Sequence, residues 1–382
     1  MDFIKMRFAP AICAAALIAS LFLSTGAMAL FEGTDEEALG RETDREIIHA
    51  YGLYEDPKLQ EYVQRVGKRI LSKMGDQEFE FHFKVVDDAM VNAFALPGGY
   101  IYVTRGLLAT LDSEAALAGV MGHEIGHVIG HHSVKQMKKQ IGSALLTLGG
   151  LALSEEARKN ASAWVTVSTS LSQQILLGYG RDMEIESDQV GLMTSYDAGY
   201  DPAGIVQFLG SLRTIERLGG HSYHGFQATH PDTVSRIIEA EGKSELLKAR
   251  DGSLNIYRDR YLDEIEGLKY GKPAWRGKTL PPYVVHIYTV KEGDTFRAIA
   301  KKISGDDGMA METASINAME VNAPIKPGYR IKTLSPVKST SAVLPKEEKK
   351  DEIGVGTGDG KGGENPGGSG KKTDGRPKGK NR

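Results

Sequence analysis

A chain of 382 residues that is 41 % hydrophobic can build one large core and a smaller second unit, which excludes a wholly disordered protein. A formal charge of -3 provides no basic field, so nucleic acid is excluded as a partner. The one cysteine, Cys13, lies in the apolar leader, which leaves the mature chain without disulfides or thiolate metal ligands, as suits an oxidising compartment.

Lys5 and Arg7 precede an apolar, alanine-rich run over 9–24, and Ala27-Met28-Ala29 supplies the small residues of a cleavage site. The run is short and the site follows at once, which favours a leader cleaved after Ala29 over a permanent anchor. Residues 34–51 carry a helical pattern with Asp35, Glu36 and Glu37 at its start, and Asp56-Pro57 opens a second helix with Leu59, Val63, Val66 and Ile70 at helical spacing. Residues 79–86 alternate apolar and polar side chains as a strand does. Residues 92–104 read as two short strands around Pro97-Gly98-Gly99, with one strand at a sheet edge. An exposed edge formed by Asn92, Ala93, Phe94, Ala95 and Leu96 can take an extended peptide as an added strand; an ordinary hairpin beside the core is the alternative.

Ser113 then caps a long apolar helix that contains His123-Glu124-Ile125-Gly126-His127. Residues four apart share one helix face, so His123 and His127 can grip one zinc ion while Glu124 stands where a general base is needed. A buried helix with merely hydrogen-bonded histidines is the competing reading. Glycines at 119, 122, 126 and 130 each cost about 1 kcal/mol in a helix interior, which predicts another element packed very close. His131 and His132 are read as structural. Residues 141–153 are apolar but too short to span a bilayer, leaving a buried helix or a peripheral membrane contact.

Helical patterns follow at 160–178, 182–198, 202–218 and 231–248. In the second of these, Glu184, Asp188 and Gly191 fall on one face. Glu184 can complete a His-His-Glu zinc site, Asp188 can orient a ligand imidazole, and Gly191 lets two helices approach. Glu186 is the rival carboxylate and faces away from Glu184. His230 can serve as a fourth ligand or as a donor to a developing oxyanion, while His221 and His224 are weaker candidates in a glycine-rich loop. Residues 271–283 read as a linker, 284–334 as a small β-α-β unit, and 335–382 as a disordered tail of mixed charge.

The run 92–106, the His123–His127 motif, Glu184-Ile185-Glu186-Ser187-Asp188 with Gly191, and His230-Pro231 with Arg236 occur together in an order that resembles metallopeptidase family forty-eight. The resemblance covers about residues 32–241. It implies a gluzincin fold with His123, His127 and Glu184 on one zinc ion, Glu124 as base, and Asp188 and His230 beside the metal. Ser187 stands where alanine is commoner in that family. Residues 285–334 resemble a lysin motif, which implies peptidoglycan as a partner, although 304–323 depart from the motif's usual middle.

The expected fold is therefore α+β: a mainly helical catalytic domain over 30–270 with a small edge-exposed sheet, then the lysin-motif-like unit. The expected function is a zinc metalloendopeptidase exported to the periplasm that degrades misfolded or unassembled envelope proteins. The alternatives are a latent protease acting mainly as an envelope chaperone and a peptidoglycan-associated binding protein.

Overall fold

The computed structural model of the chain describes residues 35–147, 178–217, 224–230, 233–250, 254–271 and 283–337. The leader, the helical pattern at 160–178, His221 and the tail beyond 337 lie outside the described residues, as does most of the 271–283 linker. The described elements belong to one compact unit ending at Val337.

The two N-terminal helices start where the capping residues dictate. Asp35 accepts a hydrogen bond from the Ala38 amide at the head of α1 (Glu36–Tyr51), and Asp56 accepts from Lys58 and Leu59 at the head of α2 (Pro57–Leu71). Helix α2 buries Leu59, Tyr62, Val63, Val66 and Ile70, the residues at helical spacing.

Strands β1 (His82–Val86), β2 (Ala93–Leu96) and β3 (Tyr100–Thr104) form a sheet in the order β1-β3-β2, with β3 parallel to β1 and antiparallel to β2. The strand expected over 79–86 begins only at His82. Its first partner is Tyr100, and the chain before Tyr100 is occupied by the turn Pro97–Gly99, where Gly98 and Gly99 take φ of 71° and 93°. The hairpin is present, and β2 is one of the sheet's two edge strands. The edge itself is not exposed, contrary to expectation: Ala93–Leu96 are all buried, because the Ser133 hydroxyl meets the Ala95 carbonyl and His230 lies against the Ala93 carbonyl.

Thr104 caps the short helix α3 (Arg105–Thr110), and Ser113 caps α4 (Glu114–Ile129) by accepting from the Ala116 amide. Helix α4 is apolar on every side and buried along nearly its whole length, as a central helix must be. Its N-terminus is fixed by Glu114, a buried carboxylate that accepts from Tyr62 Oη at 3.1 Å, Tyr200 Oη at 2.8 Å and Arg260 Nε at 2.7 Å. Helix α5 (His132–Thr147) follows. The apolar run at 141–153 is helical as far as Thr147, and the remainder lies outside the described residues.

Helices α6 (Arg181–Asp197), α7 (Ala203–Arg217), α8 (His224–Thr229), α9 (Thr233–Lys248) and α10 (Arg258–Glu264) follow. The glycines of α4 act as expected. A Cβ on Gly122 would stand 3.0 Å from the Gly191 Cα of α6, and one on Gly126 would stand 2.8 Å from the Ser187 Cα. Gly130 ends the helix instead.

The C-terminal unit is β-α-α-β, not β-α-β. Strands β5 (Tyr283–Thr289) and β6 (Arg330–Pro336) pair antiparallel and enclose α11 (Phe296–Ser304) and α12 (Ala310–Ser315), the second of which falls in the stretch that departs from the lysin pattern. Strand β4 (Lys269–Tyr270), which follows α10, adds to the outer edge of β5. Val285, Ile316 and Leu334 join the same hydrophobic core as the residues of α4, so the unit is built into the body of the protein. Lys332 is fully buried and donates to the carbonyls of Ala109, Thr110 and Leu111, each within 2.9 Å, at the C-terminal end of α3.

Candidate metal and catalytic site

The site forms where α4 crosses α6 and α8 closes over both. His123 and His127 point from adjacent turns of α4, and their Nε2 atoms lie 3.0 Å apart. Glu184 of α6 brings Oε2 to 3.6 Å from His123 Nε2 and Oε1 to 3.4 Å from His127 Nε2. His230 closes the group with Nδ1 at 3.2 Å from His123 Nε2 and 3.0 Å from Glu184 Oε1. All four residues are buried.

This donor set fits a zinc ion. The Nδ1 atoms of His123 and His127 lie 2.9 Å from Asp188 Oδ1 and 2.8 Å from His132 Nδ1, positions that can take a proton on each Nδ1 and leave each Nε2 lone pair free to face the cluster. Two imidazole lone pairs and a carboxylate then converge in a buried space that a cation satisfies. Tetrahedral zinc with ligands at about 2.0–2.1 Å has ligand–ligand edges near 3.3 Å; one donor atom from each of the four residues lies within 4.8 Å of the others, and the two imidazole Nε2 atoms are 3.0 Å apart.

The electrostatics differ from group to group. Burial raises the Glu124 carboxyl above its ordinary pKa, and both its oxygens are buried without a hydrogen-bond partner; His230 Nε2 stands 3.4 Å from Oε1. Burial also pushes His127 well below the usual imidazole value, which leaves it neutral for a metal. For Glu184, burial acts upward but the adjacent His230 and His127 outweigh it, so the carboxyl lies well below its ordinary value. His230 is moved the other way: burial lowers it, and the Glu184 and Glu124 carboxylates raise it above ordinary.

Each expected site residue can now be located. His123, His127, Glu184, Glu124 and His230 come together, and Asp188 sits behind His123. Glu186 faces away, as expected, with its side chain 59 % exposed. Of the strand residues Asn92, Ala93, Phe94, Ala95 and Leu96, the Ala93 carbonyl faces His230 and the Asn92 side chain accepts from Thr229, the residue before it. The His224 side chain and Pro231 lie outside the described residues.

Three participants were not assigned a role from sequence. Arg236, 1 % exposed, forks onto Asp188 at 2.6 and 2.7 Å and reaches Glu184 Oε2 at 2.5 Å, a single positive charge shared between two buried carboxylates. Tyr179 stacks on His127 at 4.0 Å with its hydroxyl on Ser133. His132, read as structural, touches His127 directly. An arginine six residues after His230 in a helical segment looks like a solvated charge, so only its place in the family pattern singled it out.

Residues 57–244 match the model of peptidase family M48. The chain is 28 % identical over 230 residues to a beta-barrel assembly-enhancing protease of Yersinia pestis, covering 59 % of this chain and 47 % of that protein. It is 29 % identical over 208 residues to the beta-barrel assembly-enhancing protease of Escherichia coli (strain K12), covering 53 % and 42 %. It is 34 % identical over 181 residues to the mitochondrial metalloendopeptidase OMA1 of Arabidopsis thaliana, covering 46 % and 33 %. The matched region thus spans less than half the length of each relative. No helix among the described residues is long and apolar enough to cross a membrane. The match falls on the helices that carry the buried His-His-Glu cluster, so residues 57–244 form a peptidase M48 family domain, a domain type that uses zinc.

Proposed function

We propose that the chain is a zinc-dependent endopeptidase that cleaves extended segments of misfolded or unassembled proteins in the bacterial cell envelope. The observation that carries the reading is the convergence of His123, His127 and Glu184 beside a buried, unpartnered Glu124 carboxylate. The envelope assignment rests on the leader pattern and on relatives named for assisting β-barrel assembly. When bound, zinc supplies a Lewis acid for the scissile carbonyl and a water of pKa near about 7.

The chain's own residues do the rest. Glu124, raised by burial, accepts a proton from the attacking water and returns it to the departing amine. Asp188 holds the His123 imidazole with Nε2 inward, and Arg236 holds Asp188 and Glu184 ionised. His230, protonated more readily than an ordinary imidazole, can donate to a developing oxyanion. The β2 carbonyls of Ala93 and Ala95, turned away from β3, offer main-chain acceptors for an extended peptide once His230 and Ser133 give way. Main-chain recognition is indifferent to side chains, which suits unfolded substrates.

A second reading has its own observation. His230 Nδ1 lies within the ligand cluster, so the described arrangement also fits a resting enzyme whose fourth zinc position is filled by His230. Movement of His230 would then precede activity.

The test is elemental analysis of the mature chain, wild type beside Glu184→Ala, with cleavage of an unfolded protein measured in parallel. One zinc per wild-type chain, with metal and cleavage both lost in the variant, is the expected result. Zinc retained by the variant would remove Glu184 from the ligand set, and zinc bound without cleavage would favour the latent reading. Peptidoglycan binding by residues 284–334 is tested by sedimentation of the full chain, because deleting this unit would open the shared core.

A further inference from the structure

His131 adopts φ 51°, a left-handed conformation that a non-glycine residue rarely takes, and its ring is tied to Glu36 Oε1 at 2.9 Å. That turn folds His132 back over the end of α4. The space it enters is cleared by Gly130, where a Cβ would stand 2.4 Å from the His132 ring. The returned imidazole places Nδ1 at 2.8 Å from His127 Nδ1 and Nε2 at 3.3 Å from Glu186 Oε2. His132 is fully buried, whereas Glu186 opens to solvent.

The direction of these hydrogen bonds follows from the site. A zinc ion on His127 Nε2 requires the lone pair there, so in the zinc-loaded site the His127 proton is on Nδ1 and is donated to His132 Nδ1, 2.8 Å away. His132 then accepts at Nδ1, where the Ser187 hydroxyl at 3.3 Å is a second donor, and carries its own proton on Nε2 toward Glu186. His123 is treated differently: its Nδ1 meets the carboxylate of Asp188 directly.

We propose that His132 and Glu186 are positioning residues for the metal centre: His132 fixes the tautomer and ring orientation of His127, and Glu186 extends to it, through one imidazole, the support that Asp188 gives His123 directly. The proposal rests on the zinc reading above. It accounts for the strained turn at His131, for the glycine at 130, and for serine at 187, whose hydroxyl faces the His132 ring. It also gives Glu186 a part without making it a ligand.

The test is the zinc dissociation constant, measured by competition with a chromogenic chelator at fixed pH, with folding of each variant checked by circular dichroism. Replacing a second-layer partner typically weakens metal binding about 10–100-fold, and His132→Phe is expected in that range. His132→Asn, whose amide oxygen can stand where Nδ1 stood, is expected to recover most of the loss. Glu186→Gln, an exposed change that leaves folding intact, is expected to weaken zinc about three- to tenfold. Unchanged affinity in His132→Phe overturns the proposal. If that variant does not fold, unchanged affinity in Glu186→Gln overturns it. Complete loss of zinc in Glu186→Gln would overturn it in another way, by making Glu186 a ligand. Wild-type protein that binds no zinc would instead refute the function on which the relay depends.

Discussion

Replacing Arg236 by methionine keeps the length of the side chain and removes its charge. In the native protein this guanidinium is the shared counter-ion of Asp188 and Glu184, both buried, and one of its nitrogens also donates to the His230 carbonyl at 3.3 Å. Breaking a buried ion pair by removing one partner costs about 3–5 kcal/mol, and two carboxylates are stranded here, so the metal-free variant should fall at the upper end. A domain stability of about 5–15 kcal/mol would be much reduced by that loss. Zinc neutralises Glu184 independently, so the loss should be smaller in zinc-loaded protein. The pH dependence has a defined sign. Burial acts to raise Asp188, but the hydrogen bonds from Arg236 and His123 hold it below its ordinary value, and Glu184 is likewise depressed. Depressed carboxyls stabilise the fold above their unfolded values near 4, and that contribution is lost as pH falls through the folded values. The gap between wild type and variant should therefore narrow in acid. Urea unfolding of both proteins with chelator, at pH 7 and at pH 3, measures it. A loss under about 1 kcal/mol at pH 7, or a gap that widens in acid, would refute the reasoning.

The remaining predictions concern helix approach, the buried lysine and His230. Gly191→Ala puts a Cβ 2.8 Å from the His123 amide nitrogen and 3.0 Å from the Gly119 carbonyl, and should cost about 1–3 kcal/mol and weaken zinc binding. Thermal unfolding and chelator competition check it, and a variant equal to wild type in both would contradict the close packing of α4 on α6. Burial lowers the Lys332 ammonium to about 8, so between pH 8 and 10.5 the native state holds fewer protons than the unfolded chain. The unfolding free energy of wild type relative to Lys332→Met should rise across that window by at most about 3 kcal/mol, and a flat or falling difference in urea titrations would contradict it. If His230 is a zinc ligand, binding near neutral pH should release more protons from wild type than from His230→Gln, since the Glu184 and Glu124 carboxylates outweigh burial and hold His230 above its ordinary value. Calorimetry in buffers of different ionisation enthalpy reads this, and equal release by the two proteins would put His230 outside the ligand set.

Much of the candidate site was legible because the residues brought together obey local rules. Residues four apart share a helix face, so His123 with His127 and Glu184 with Asp188 could be paired before any fold was known. The glycines gave the approach of the two helices, since nothing else explains them in so apolar a run. The caps Asp35, Asp56 and Ser113 set the helix starts for the same local reason. What escaped depends on contacts distant in sequence. Arg236 is 48 residues from Asp188, and Lys332 is over two hundred residues from the carbonyls it binds. A lone charge in such a segment reads as solvated until its partner is known. His132 escaped because helical spacing places it off the ligand face, and only the left-handed turn at His131 brings it back. The burial of β2 has the same origin, in groups from α5 and His230.

The most direct measurement of the central claim is cleavage of an unfolded protein by zinc-loaded wild type and by Glu124→Gln, with zinc content determined on the same samples. The account predicts one zinc per chain in both and a rate about 100- to 10,000-fold lower in the variant, because the amide keeps the shape of the carboxylate but cannot accept the proton. Undiminished cleavage by zinc-loaded Glu124→Gln would contradict it.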